Sequence, residues 1–204
     1  MSAATNSERP DFWNCRYAAG KTPWDFGGVP AALKSFLARS SAPGRILIPG
    51  CGSGYEVVAF HNAGYDVTAI DFSPVAVDRA KQLLGTLPEK VILGDFFTHD
   101  FGQRGFDLIY ERTFLCSLPP SRWPDYMNRM AELSSPNGRL VGVFLYGREL
   151  EPPPYPLTDE QADQLFQGHF RLVRNDPVTD SLPLFRGMER WQEWLKTERR
   201  RPVT

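Results

Sequence analysis

The chain has 204 residues, 42% of them hydrophobic, which is enough to bury one good core and too little to divide between two average domains. Lysine and arginine number 23 against 24 aspartates and glutamates, a balance that argues against nucleic acid and other polyanions and favours a small-molecule partner. The first ten residues are polar and lack the core of a secretory signal, and the apolar run 140–146 falls far short of the roughly 20 residues of a membrane span, so a cytoplasmic protein without membrane attachment is expected.

In chain order, the first feature is an aromatic-rich segment, residues 11–28, which lies outside any alternation of strand and helix and reads as a cap over a site. From Arg45 onward, short apolar runs alternate with segments of helical period, as in a parallel sheet covered on both faces. Strands are predicted at 45–49, 66–71, 91–94, 106–110 and 139–144, nearly continuous in apolar character as doubly covered strands are. Helices are predicted at 55–63, 74–84 and 122–133. Ser73 before Pro74 offers a cap acceptor, followed by a first-turn residue that loses nothing by lacking its N–H. Beyond the proline-rich loop 151–156, Thr158 to Gln161 has the form of a capping box before a helix reaching Phe166, and strands are predicted at 170–175 and 188–195. The expected fold class is α/β, one domain over residues 1–204 with a mostly parallel seven-stranded sheet and helices on both faces.

Directly after the first strand stands Pro49-Gly50-Cys51-Gly52-Ser53-Gly54, and Asp71 follows Gly50 by 21 residues at the end of the second strand. Glycines there let the backbone approach a ligand closely, and an acid at that place can accept from the two hydroxyls of a ribose. Two ligands compete for this pattern, a dinucleotide and the nucleoside cofactor S-adenosylmethionine. A dinucleotide fingerprint requires a glycine where Tyr55 stands; Gly54 is one residue early, a spacing that suits a cofactor with no pyrophosphate. The three cysteines, Cys15, Cys51 and Cys116, and the three histidines show no paired ligand spacing, so no metal site is expected. The glycines also lie at the wrong spacing for a hydrolase nucleophile elbow around Ser53.

Phe12-Trp13, Lys21-Thr-Pro-Trp-Asp25, the turn Ile48 to Gly54, Gly94-Asp-Phe-Phe97, Phe106 to Arg112, Phe114-Leu-Cys116 and Pro153-Pro-Tyr155 together resemble the class I, Rossmann-like methyltransferases, and more narrowly the thiopurine S-methyltransferase and thiol/halide methyltransferase family. The resemblance implies S-adenosylmethionine as cofactor, released as S-adenosylhomocysteine. It places Trp13, Tyr17 and Trp24 against the cofactor, with Tyr17 where plant relatives carry a tryptophan. Gly50 then lies under its amino-acid portion, Asp71 takes the ribose, Asp95 with Phe96 holds the adenine, and Gly52 and Phe72 are further cofactor-binding candidates. For each tryptophan the competing explanation is core packing, and for Asp95 it is a turn.

Methyl transfer from a sulfonium needs alignment and exclusion of water more than it needs acid–base groups. A thiol acceptor reacts as thiolate, which a nearby cation favours. Arg112, expected at the carboxyl end of the fourth strand, is the leading candidate for holding an anionic acceptor, or alternatively the cofactor; an ion pair with Glu111 or a surface acid is the competing role. Glu111 is a candidate weak base or partner of the cofactor's ammonium group, Tyr155 a candidate wall of the acceptor pocket, and Arg186 or Arg190 a further source of charge. Cys116 reads as packing, and Arg199 to Arg201 as a solvated tail. The function expected is methylation of a small soft nucleophile, foremost a thiol, by a monomer or weak homodimer. Halide, thiocyanate, or selenium or tellurium species are the nearest variants. A nucleic-acid or protein methyltransferase and a cofactor-binding sensor without turnover remain alternatives.

Overall fold

The computed structural model of the protein describes residues 6–40, 43–148 and 151–197; the basic run at 199–201 lies outside them. Seven strands form one sheet: β1 (Arg45–Pro49), β2 (Asp66–Asp71), β3 (Val91–Leu93), β4 (Phe106–Arg112), β5 (Ser134–Leu145), β6 (Phe170–Pro177) and β7 (Glu189–Lys196). Their order is β3-β2-β1-β4-β5-β7-β6, with β1 to β5 parallel and β7 antiparallel to both β5 and β6. Helices are α1 (Pro10–Ala18), α2 (Ala31–Arg39), α3 (Tyr55–Asn62), α4 (Pro74–Leu84), α5 (Trp123–Leu133) and α6 (Asp159–Phe166). None of the described helices is long and apolar enough to cross a membrane.

The alternating side chains of the strands divide the interior in two. On one face Ile46, Ile48, Val67, Ala69, Leu108 and Val141 pack against Leu33 and Phe36 of α2, Val57 and Phe60 of α3, and Val77 and Ala80 of α4. On the other, Leu47, Ile70, Ile109, Leu140 and Phe144 meet Tyr126, Met127 and Met130 of α5 and Phe166 of α6. Period-two alternation with both faces covered is what an apolar parallel sheet requires.

Two helices depart from the sequence reading. The cap segment contains α1, whose Pro10 sits at the first helical position and Asp11 in the first turn; its apolar residues follow no single stripe, so periodicity does not reveal it. Helix α2 is nine residues long with only Leu33 and Phe36 buried, too short a pattern to stand out. The fourth strand runs two residues beyond Tyr110, because Glu111 and Arg112 continue the parallel ladder opposite Gly142 and Val143. Strand β5 begins at Ser134 rather than Arg139, across a register irregularity at Phe106/Leu108 that accompanies Asn137 at φ 61°. Ser73 caps α4 by accepting from the Ala76 N–H at 3.2 Å, and the Thr158–Gln161 capping box forms at α6 in both directions.

Candidate functional site

The neighbours of β1 are β2 on one side and β4 on the other, so strand order reverses there, and a crevice at the carboxyl ends of these strands is the expected ligand site of an open α/β sheet. A cavity of about 770 Å³ occupies that place. The glycine turn, the ends of β2 and β4, the loops after β3 and β4, the cap segment and the proline-rich loop all contribute to its wall.

Gly50 and Gly52 adopt φ of 59° and 53°, a region that side chains disfavour. Close contacts add a second reason for glycine: a Cβ on Gly50 would lie 2.6 Å from Cδ2 of Phe114, and one on Gly52 would lie 2.8 Å from the Tyr17 hydroxyl. Asp71 braces the turn from β2, accepting from the Gly52 N–H at 3.0 Å through Oδ2 and from the Ser73 N–H at 2.9 Å through Oδ1. Burial pushes its pKa up to about 6, while those backbone donors pull the other way. It lines the cavity, and each carboxylate oxygen, with one backbone donor, keeps capacity to accept another.

The cap segment is tied to the turn at several points. Asn14 Oδ1 accepts from the Ser73 hydroxyl at 2.6 Å, Asp25 Oδ2 accepts from the Ser53 hydroxyl at 2.6 Å, and Arg79 of α4 donates to the Tyr17 carbonyl. Trp24 meets Trp13 at 5.3 Å and Tyr17 at 6.0 Å, both edge to face. All three rings line the cavity, and the Trp13 Nε1 donates to the Ser7 carbonyl at 2.7 Å. Burial raises the Tyr17 pKa, as does the charge of Asp71, so this tyrosine stays a neutral hydroxyl. Phe72, Asp95 and Phe96 line the same cavity; Phe96 is buried, and Asp95 closes its own turn by accepting from the Phe97 N–H at 2.8 Å.

Arg112 lines the cavity from the end of β4. Its ionic partner is Glu56 rather than Glu111: Nη1 stands 4.0 Å from Glu56 Oε1, and the guanidinium lies 5.2 Å from the centre of the Phe26 ring. Among the described residues the Arg112 Nε is buried without a hydrogen-bond partner, as is the hydroxyl of Tyr110 two residues before it. Burial raises the pKa of Glu56, and the Arg112 charge opposes that rise.

Other candidates fall elsewhere. Glu111 is 1% exposed and is not part of the cavity wall. Its Oε1 accepts from the backbone N–H groups of Phe114 and Leu115, both at 2.9 Å, and its Oε2 from the Tyr126 hydroxyl at 2.8 Å. Tyr155 likewise leaves the cavity to Pro152, Pro153 and Pro154 and packs against the core beside α5. Arg190 pairs with Asp159 and lies 3.9 Å from the centre of the Tyr146 ring, and Arg186 is exposed; neither lines the cavity. Cys116 does line it, buried with Phe185 and Leu145, and its thiol pKa is raised by burial. Unanticipated contributors are Glu56, Asp25 and Phe185. Glu56 could have been suspected, since a carboxylate in the first turn of the helix after the glycines lies near the positive end of its dipole.

A family model described as thiopurine S-methyltransferase matches residues 8–197. A probable thiol methyltransferase of Arabidopsis thaliana is 32% identical over 196 residues, covering 91% of this chain and 84% of its own. A thiocyanate methyltransferase of Brassica oleracea is 29% identical, with 90% and 84% covered, and a thiopurine S-methyltransferase of Methylococcus capsulatus 27% identical, with 80% and 83% covered. Among solved structures, the 1,6-didemethyltoxoflavin N1-methyltransferase of Burkholderia thailandensis aligns with a TM-score of 0.73 at 21% identity, covering 93% of this chain and 87% of that one. The magnesium protoporphyrin IX methyltransferase of Synechocystis aligns at 0.70 and 16% identity, with 97% and 100% covered. The shared architecture is the class I, Rossmann-like methyltransferase fold.

Proposed function

This chain belongs to the thiopurine S-methyltransferase family, and from that membership we propose that it transfers the methyl group of S-adenosylmethionine to a small thiol held as its thiolate beside Arg112. The observation that carries the acceptor assignment is the Arg112 guanidinium: a cation at the cavity wall whose one carboxylate partner among the described residues stands at 4.0 Å and whose Nε has no hydrogen-bond partner among them.

The residues of the cavity suit the cofactor. Gly50 and Gly52 bring bare backbone to the wall, Asp71 retains acceptor capacity for a ribose, and Phe72, Asp95 and Phe96 frame a slot for a planar base. Trp13, Tyr17 and Trp24 offer an aromatic lining, which attracts a desolvated cation by roughly 0.5 to 2 kcal/mol. When bound, S-adenosylmethionine supplies a methyl group on a sulfonium, an electrophile that needs no acid to assist its leaving group. The protein's part is then to hold the two reactants in line, to exclude water through the cap and the proline-rich loop, and to keep the acceptor ionised. A cation beside a thiol lowers its pKa from the free value near 8.5, so Arg112 raises the fraction present as nucleophile.

The test is a turnover assay with S-adenosylmethionine and a panel of aliphatic, aromatic and heterocyclic thiols alongside thiocyanate and iodide, following S-adenosylhomocysteine and volatile products together. Turnover confined to thiols supports the proposal; turnover confined to the inorganic anions moves the assignment to the chemistry named for the Brassica relative. Arg112→Ala should lose tenfold or more in kcat/KM for the acceptor, about 1.4 kcal/mol, while calorimetric affinity for the cofactor stays within about threefold. Equal losses in both would assign Arg112 to the cofactor.

A further inference from the structure

Glu111 is a carboxylate taken fully out of water next to a reaction that gives it no proton to move. It does not line the cavity, yet one of its three donor residues, Phe114, does. Phe114 and Leu115 belong to the segment that follows β4, and Tyr126 belongs to α5, in the core layer that also holds Phe96 and against which Phe114 packs. Between Arg112 and Phe114 the chain passes through Thr113 at φ 56°, a conformation that a β-branched residue adopts only where its surroundings impose it. Two backbone N–H groups converging on one carboxylate oxygen are such a surrounding. Immediately after this bend the Phe114 ring lies over the glycine turn, close enough that Gly50 has no room for a Cβ. The same ring meets Phe96 edge to face at 5.3 Å and lines the cavity.

We propose that Glu111 is a positioning residue for the cofactor: its carboxylate clasps the loop after β4 to α5 and so presses the Phe114 ring onto Gly50, setting the wall between the glycine turn and Phe96. It touches neither reactant and acts through Phe114. Tyr126, fully buried in the core, anchors the far end of the clasp, so the wall of the cradle is registered against the core. Burial pushes the Glu111 pKa up to about 7, and the three donors are what keep it from rising further. The inference rests on S-adenosylmethionine being the cofactor, and its test reads cofactor binding alone, so failure of the thiol assignment would leave it standing.

Calorimetric affinity for S-adenosylmethionine would be measured on the full chain and on Glu111→Gln, Glu111→Ala, Tyr126→Phe, Phe114→Ala and the Glu111→Ala/Phe114→Ala double variant, with near-ultraviolet circular dichroism confirming the fold of each. Loss of all three hydrogen bonds to the Glu111 carboxylate should raise the dissociation constant of Glu111→Ala by about tenfold or more. Gln can still accept both backbone N–H groups through its oxygen and should stay within about threefold of the parent. The double variant should bind no worse than Phe114→Ala, because both substitutions abolish the same wall. Should Glu111→Ala fail to fold, Tyr126→Phe carries the test, with a smaller loss that also vanishes in the Phe114→Ala background. Additive losses, or unchanged cofactor affinity with a lowered kcat, would overturn the proposal.

Discussion

Asp71, Glu111, Glu56 and Glu189 are all carboxyl groups whose pKa is raised by burial. A carboxyl with a folded pKa above its unfolded value binds its proton more tightly when folded, so stability is full below the unfolded pKa and declines as pH rises toward the folded one. For Glu111, displaced from 4.5 to about 7, the decline amounts to about 3 kcal/mol across that window. Asp71, displaced from 3.8 to about 6, adds a decline of the same sign at lower pH. Urea denaturation of the protein without cofactor should therefore show stability falling between pH 4.5 and 7, with a shallower fall in Glu111→Gln; parallel curves would contradict the assignment of the slope to Glu111. At this scale the glycine turn and Asp71 were legible because their meaning lies in short-range spacing. The direction of Glu111 was obscured by ending the fourth strand at Tyr110. Had Arg112 been counted as strand, period-two alternation would have placed Glu111 and Arg112 on opposite faces.

Strands β4, β5 and β7 run side by side in the sheet, with Gly142 opposite Glu111 on one flank and Gln192 on the other. A Cβ at Gly142 would stand 1.8 Å from the Glu111 carbonyl oxygen, a distance that only displacement of β4 itself can relieve. Gly142→Ala should consequently destabilise the protein by about 3 kcal/mol, at the upper end of overpacking, and depress activity by moving Glu111 and Arg112 together. An unchanged urea midpoint would refute it. Most elements were readable from periodicity, since apolar strands and striped helices announce their own class. Helices α1 and α2 were not, because each holds its place by a few contacts made far along the chain: the Ala31 N–H that opens α2 donates to Asp180 at 2.7 Å, and α1 is fastened through Asn14 to Ser73. No local pattern encodes such partners.

Taken whole, the molecule is a sheet carrying a cap joined to it by the buried Phe12 and Tyr17 and by polar ties, Asn14 to Ser73 and Asp25 to Ser53 among them. Removing two exchangeable hydrogen bonds should loosen the cap without unfolding the sheet. The Asn14→Ala/Asp25→Ala variant is expected to keep its thermal midpoint within a few degrees, to be cut faster by trypsin at Arg16 or Lys21, and to regain protection on adding S-adenosylmethionine; equal cleavage rates with and without the ties would count against a tethered cap. The family was legible in the sequence from the motifs of the turn and cap, whereas the wall proposed to face the acceptor was not, Arg112, Cys116, the proline loop and Phe185 reaching the cavity from widely separated stretches. The sheet order has a further consequence. Strand β6 meets the rest of the sheet only through β7, which follows it in the chain and occupies the place between β5 and β6. On the ribosome, β6 must therefore wait undocked until β7 has emerged, and for that interval the flank of β5 is an open edge able to recruit strands from other nascent chains. Closure of the β6–β7 pair is thus the step that removes this open edge.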